Sequence, residues 1–172
     1  MSPSMRAAAV GLGFSFLAIS PAQQSSYHDV LIALRDSLTG VQAALDGFRQ
    51  DLPRVGKETV VARSTVLQPR CRGAERIIPG VTGRIRSATT PVLTRREAGG
   101  LLRALRELGL VLRRDCEVGL RPAGPGIWAD SLRAWVPYRS GRIERAITAY
   151  EGAAGTFAAA VGFKLEPSLP QK

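Results

Sequence analysis

Histidine occurs once in the 172 residues, at His28, and that scarcity removes most of the acid-base chemistry available near neutral pH. A Ser-His-Asp triad would have to be built wholly around His28, which has no acid-base partner at helical spacing. Cysteine occurs twice, at Cys71 and Cys116, too few for a cysteine-rich zinc site, and no C-x-x-C-H motif is present for a covalent haem. Carboxylates stand singly. Asp115 and Glu117 are two apart and so point different ways on a helix, and no Glu-x-x-His pair of the di-iron bundle type occurs. The glycine-rich stretches, Gly11-x-Gly13 and Gly119 to Gly126, lack the lysine of a phosphate-binding loop. No catalytic residue, metal ligand or cofactor is expected, and the chain reads as non-enzymatic.

Long apolar runs are also missing. The longest, Ala7 to Ile19, makes about 20 Å of helix against a hydrocarbon core of roughly 30 Å, and Gly11 and Gly13 weaken it further. It fits a secretory signal peptide better than a span. Arg6 supplies the positive n-region, Ala7 to Ile19 the apolar h-region, and Ser20-Pro21-Ala22 small residues for cleavage. Residues 1–22 are therefore read as a signal peptide, with the mature chain beginning near Gln23 in a secreted or periplasmic setting. The rival reading keeps the segment as an interfacial anchor.

What is abundant is positive charge. Lys and Arg number 24 against 14 Asp and Glu, a net charge of +10. Removing residues 1–22 takes away Arg6 alone and leaves +9. Outside the cytoplasm such a chain is drawn to anionic surfaces, whether lipid head groups or acidic proteins. The charge is unevenly placed, with Asp29, Asp36, Asp46 and Asp51 ahead of a basic stretch from Arg54 to Arg86. If the two stretches are antiparallel neighbours, part of the basic excess is used internally.

An even pair of cysteines in an exported chain predicts a disulfide between Cys71 and Cys116. Closing a loop of this length contributes roughly 3–4 kcal/mol in the chain-entropy model.

The fold class follows from periodicity. Tyr27, Leu31, Leu34, Leu38, Val41, Leu45, Phe48 and Leu52 form a heptad seam, a long helix capped by Ser25 or Ser26 and ended by Leu52-Pro53. Val60, Leu67, Cys71, Ala74, Ile78, Val81 and Ile85 repeat the pattern from about 58 to 86, with Ser64 as the one weak position and Pro69 and Pro79 as kinks or breaks. The β-branched run Thr59 to Leu67 allows a strand, but a strand with no clear partner elsewhere is unstable. Thr94-Arg95-Arg96-Glu97 is a capping box opening a third helix with Leu101, Leu105, Leu108 and Leu112 inward and Cys116 on the flank. A short helix over Ile127 to Val136 is expected, which Pro137 interrupts or restarts. A last helix follows, carrying Ile143, Ile147, Tyr150, Ala154, Phe157 and Val161. Together these predict an all-α, up-and-down four-helix bundle over residues 23–164, with a kinked second helix, a short extra helix before the last one, and a disordered tail over 165–172.

A binding surface is expected between Ile127 and Arg145. There Trp128, Trp135 and Tyr138 interleave with Arg133, Arg139, Arg142 and Arg145, a mixture suited to an anionic membrane surface or an acidic protein partner. The expected function is contact through these residues. Two alternatives stay open: a periplasmic accessory subunit of a membrane protein complex, and a bundle that holds a small ligand or cofactor between its helices. Nucleic acid is a poor partner for an exported chain with no recognition motif.

Overall fold

The structure is a computed structural model that describes residues 21–51, 56–87, 94–119 and 127–165, apart from the side chains of 23, 51, 57, 58, 60, 127–130, 132 and 133. Residues 1–20, most of the expected signal peptide, and 166–172, most of the expected tail, lie outside this set, while Leu165 is half-buried against the core. Four long helices carry the fold: α1 (Pro21–Asp51), α2 (Lys57–Ser87), α3 (Arg95–Val111) and α4 (Ile127–Val161). A π-helical segment, Leu112–Val118, prolongs α3.

The heptad seams become the core. Every described position of the α1 seam from Tyr27 to Phe48 is buried, as are Leu67, Cys71, Ala74, Ile78, Val81 and Ile85 of α2. Leu101, Leu105 and Leu108 of α3 meet the α4 stripe, in which Ile143, Ile147, Tyr150, Ala154, Phe157 and Val161 are all buried. Neighbouring helices run antiparallel. Tyr27 meets Phe157 edge to face at 5.3 Å, and the Tyr150 hydroxyl donates to the Leu31 carbonyl at 3.3 Å, so α1 ascends as α4 descends. Ile78 reaches Gly109 as Cys71 reaches Cys116, which sets α2 against α3 in the same sense. The helices therefore stand in a square in chain order, an up-and-down bundle.

Helix α1 is already helical at Pro21, ahead of the expected caps Ser25 and Ser26. The short extra helix does not stand apart, since α4 runs unbroken from Ile127 through Pro137. Pro137 is exposed, so water can reach the carbonyl whose intrahelical donor it removes, and Ser140 Oγ donates to the Pro137 carbonyl at 3.1 Å. Pro69 and Pro79 are exposed in the same way and do not divide α2, which is helical through Thr59 to Leu67 as well. Thr94 does stand at the start of α3, but its hydroxyl makes no cap hydrogen bond.

Both ends of the α1–α4 pair are fastened at the base of the bundle. Gly162, at φ 91°, closes α4 with its N–H on the Ala159 carbonyl and that of Phe163 on the Ala158 carbonyl, a Schellman motif for which glycine is the natural residue. Gln24 Nε2 donates to the Val161 carbonyl at 2.9 Å, which satisfies another end group of α4. Burial drives the Tyr150 phenol well above its ordinary value, Glu151 adds to the rise and Arg35 offsets part of it. Tyr27 is raised by burial as well, against an opposing effect of Arg84.

Candidate functional site

The site begins with the π-helical segment. The α3 seam runs Leu101, Leu105, Leu108, Leu112, and its next step of three falls on Asp115, a charged residue at a core position. The chain answers by widening its turn: the Gly119 N–H reaches back five residues to the Arg114 carbonyl at 2.9 Å. Leu112, Asp115 and Cys116 are then all buried, and three successive side chains serve three partners. Asp115 Oδ2 faces Arg142 Nε of α4 at 3.4 Å, while its Oδ1 lies 3.8 Å from Arg114 Nε. Cys116 pairs with Cys71 of α2, their Cα atoms 6.2 Å apart, within the range a disulfide needs. Glu117 accepts from Arg72 Nε of α2 at 2.9 Å. Asp115 and Glu117 do point different ways, one to α4 and the other to α2.

The inner face of α4 is fixed by Val136, Ser140 and Ile143, all buried, so the residues beside it are held in a defined direction. Trp135, Tyr138, Arg139, Arg142 and Arg145 fall at i, i+3, i+4, i+7 and i+10, a single stripe. Trp135 is 52% exposed and Tyr138 57%. Arg139 lies over the Trp135 ring at 5.6 Å from its centroid and Arg142 over the Tyr138 ring at 6.0 Å, while the two rings meet edge to face at 6.4 Å. Gly119 makes room for one arginine, while Gly141 is in ordinary contact with another. The Arg139 guanidinium occupies the place a Cβ on Gly119 would take, and Arg145 Nη1 lies 3.5 Å from the place of a Cβ on Gly141. Val66, five residues before Cys71, and Val118, two after Cys116, add exposed apolar surface at this end of the bundle.

Of the seven residues expected to form the binding surface, five are therefore placed on one stripe. Trp128 and Arg133 belong to α4, but their side chains lie outside the described residues. The π segment and its glycine were missed by sequence reasoning, although the charged residue at a seam position was their signal.

His28 lies at the other end of α1, near the base. Its Nδ1 is 3.5 Å from Asp29 Oδ1, and its ring meets the edge of Phe163 at 5.8 Å. Among the described residues no group of three or more His, Cys, Asp or Glu could hold a metal ion, and no helix is long and apolar enough to cross a membrane. An open hollow beside Asp46, Arg49 and Gln50 sits where Arg49 pairs with Glu144 of α4. Of the acidic residues of α1, Asp46 lies 3.9 Å from Arg49 and Asp29 3.5 Å from His28, both within α1. One polar link between α1 and α2 is Arg70 Nη1 donating to the Gly40 carbonyl at 3.0 Å.

No known protein family, curated protein or solved structure matches the chain.

Proposed function

We propose that this chain is an exported, non-enzymatic helical bundle that acts by contact, and that its working surface is the Trp135–Arg145 stripe, which binds an anionic partner. The observation that carries this reading is the exposure of two aromatic rings, each under an arginine, on a face held rigid by the bundle. Buried aromatics need no functional explanation, whereas exposed aromatics stacked with arginine have the composition of a binding hot spot. The net charge, +9 without residues 1–22, adds long-range attraction for acidic partners. Export is supported by the sequence of residues 1–22 and by the cysteine pair, which belongs to an oxidising compartment.

A second reading, an accessory subunit of a periplasmic membrane complex with the N-terminal segment retained, draws support from α1 itself. The helix already runs through Ala22 and Gln23, the expected point of cleavage. In either case the stripe is the contact surface.

The test is binding of the protein from its native source to phosphatidylglycerol vesicles and to immobilised polyglutamate, at 0.15 and 0.5 M salt. Binding to at least one of them should fall with salt and weaken about tenfold in the Trp135→Ala, Arg145→Glu double variant. Binding to neither, or binding that the double variant leaves unchanged, contradicts the reading.

A further inference from the structure

We infer that the stripe reads an extended, carboxylate-rich segment of a partner protein, about five residues long, and not a lipid surface. This deepens the contact function proposed above and rests on it. Trp135 and Arg145 are ten residues apart on α4, about 15 Å along its axis, which matches some five residues of extended chain at about 3.3 Å each. The apolar part of the stripe is small. Trp135 and Tyr138 are both overlaid by guanidinium groups, and burying those rings in a bilayer would drag the charges with them or break the stacking. A stacked guanidinium keeps its flat N–H edge available, and that fork matches a carboxylate two bonds at a time.

The arginines are also arranged before any partner arrives. Asp115, nine-tenths buried, faces Nε of Arg142, and Gly119 leaves the space that Arg139 fills. Such preorganisation lowers the ordering cost of a specific docking site, whereas attraction to a charged lipid sheet needs no fixed geometry. The stripe also stands apart from the entry of the N-terminal segment. It lies 16 to 26 residues before Val161, where Gln24 is fastened, or about 24–39 Å along α4.

The experiment is fluorescence anisotropy of a labelled ten-residue Glu-Ala repeat peptide with the protein from its native source, in parallel with sedimentation on phosphatidylglycerol vesicles, both in 0.15 M salt. The peptide should bind and should compete with any vesicle binding. Arg139→Lys, which keeps the charge and loses the fork, should weaken peptide binding at least fivefold, while Arg103→Lys on the exposed face of α3 leaves it unchanged. Thermal melting by circular dichroism verifies that both variants fold. Vesicle binding without peptide binding, or equal peptide affinity for Arg139→Lys and the parent, overturns the protein-segment inference and leaves contact with an anionic surface standing. Binding to neither probe overturns the contact function itself.

Discussion

Asp115 and Arg142 face each other across the seam between the π segment and α4, Oδ2 to Nε at 3.4 Å, with the carboxylate side chain only 7% exposed. A carboxylate this deep is tolerated because a guanidinium stands opposite and Arg114 lies on its other side. The pair links the core of the bundle to the stripe, since Arg142 is at once the partner of Asp115 and the cover of Tyr138.

Replacing Asp115 by Asn removes the charge and keeps the shape. Arg142 is a quarter exposed and can turn to water, so the loss should be about 1–3 kcal/mol, below the full cost of stranding a buried ion. Urea denaturation of D115N against the parent measures it, and an unchanged midpoint would show that the pair holds nothing.

The Cys71–Cys116 bridge ties the π segment to the middle of α2 across 45 residues of chain. Cys71→Ala with Cys116→Ala should cost about 3–4 kcal/mol by restoring entropy to the unfolded chain. Both cysteines are fully buried, so a reductant should reach the bridge, and an alkylating reagent the freed thiols, only after denaturation. Rapid reduction and alkylation of the folded protein would contradict that placement.

Gly119 is required by two neighbours. A Cβ there would meet the Arg139 guanidinium and would come within 2.8 Å of the Arg114 carbonyl, so Gly119→Ala must displace both. The arginine can swing away at little cost, but the backbone must give. A loss of about 1–2 kcal/mol is expected, together with weaker Arg139–Trp135 stacking, read as a shift in tryptophan fluorescence. Gly83, with open space around it, is the control, and its alanine variant should show no fluorescence shift.

Tyr150 makes the bundle sensitive to alkali. Burial raises its folded pKa above the ordinary value near 10, so the unfolded chain gives up this proton at lower pH than the folded one. The folded state then binds more protons than the unfolded, and stability falls as pH rises above about 10, having been constant below it. Tyr150→Phe should lose about 1 kcal/mol at neutral pH, where the bond to Leu31 is missing, and should fall less steeply from pH 10 to 12. Equal slopes for parent and variant in that range would rule out Tyr150 as the source.

Much of the fold was legible because a heptad seam is a geometric statement. Tyr27, Leu31 and Leu34 can share a face only on a helix, and that face must be covered. The pairing of Cys71 with Cys116 was legible from the even cysteine count together with the expectation of export. Pro137 misled because a proline is read as a helix break or restart, whereas at this exposed position α4 continues through it. The π segment was hidden for a different reason. A seam repeat does not say how a chain accommodates Asp115 at an inward position, and widening the turn shifts which neighbours are buried without altering the apolar count. The stripe was visible as composition, and its stacked pairs Trp135–Arg139 and Tyr138–Arg142 are i, i+4 neighbours, but the fit of Arg139 against Gly119 depends on a contact between the π segment and α4 that no spacing rule contains.

The proposed setting of the contact function is export as a disulfide-closed bundle, and the intact mass of the protein from its native source, alkylated without prior reduction, tests that setting most directly. The predicted mass is that of Gln23 to Lys172, two hydrogens light and carrying no alkyl group, or lower still by ammonia if Gln23 has cyclised. A mass that includes residues 1–22 and two alkylated cysteines would place the chain in a reducing compartment and contradict it.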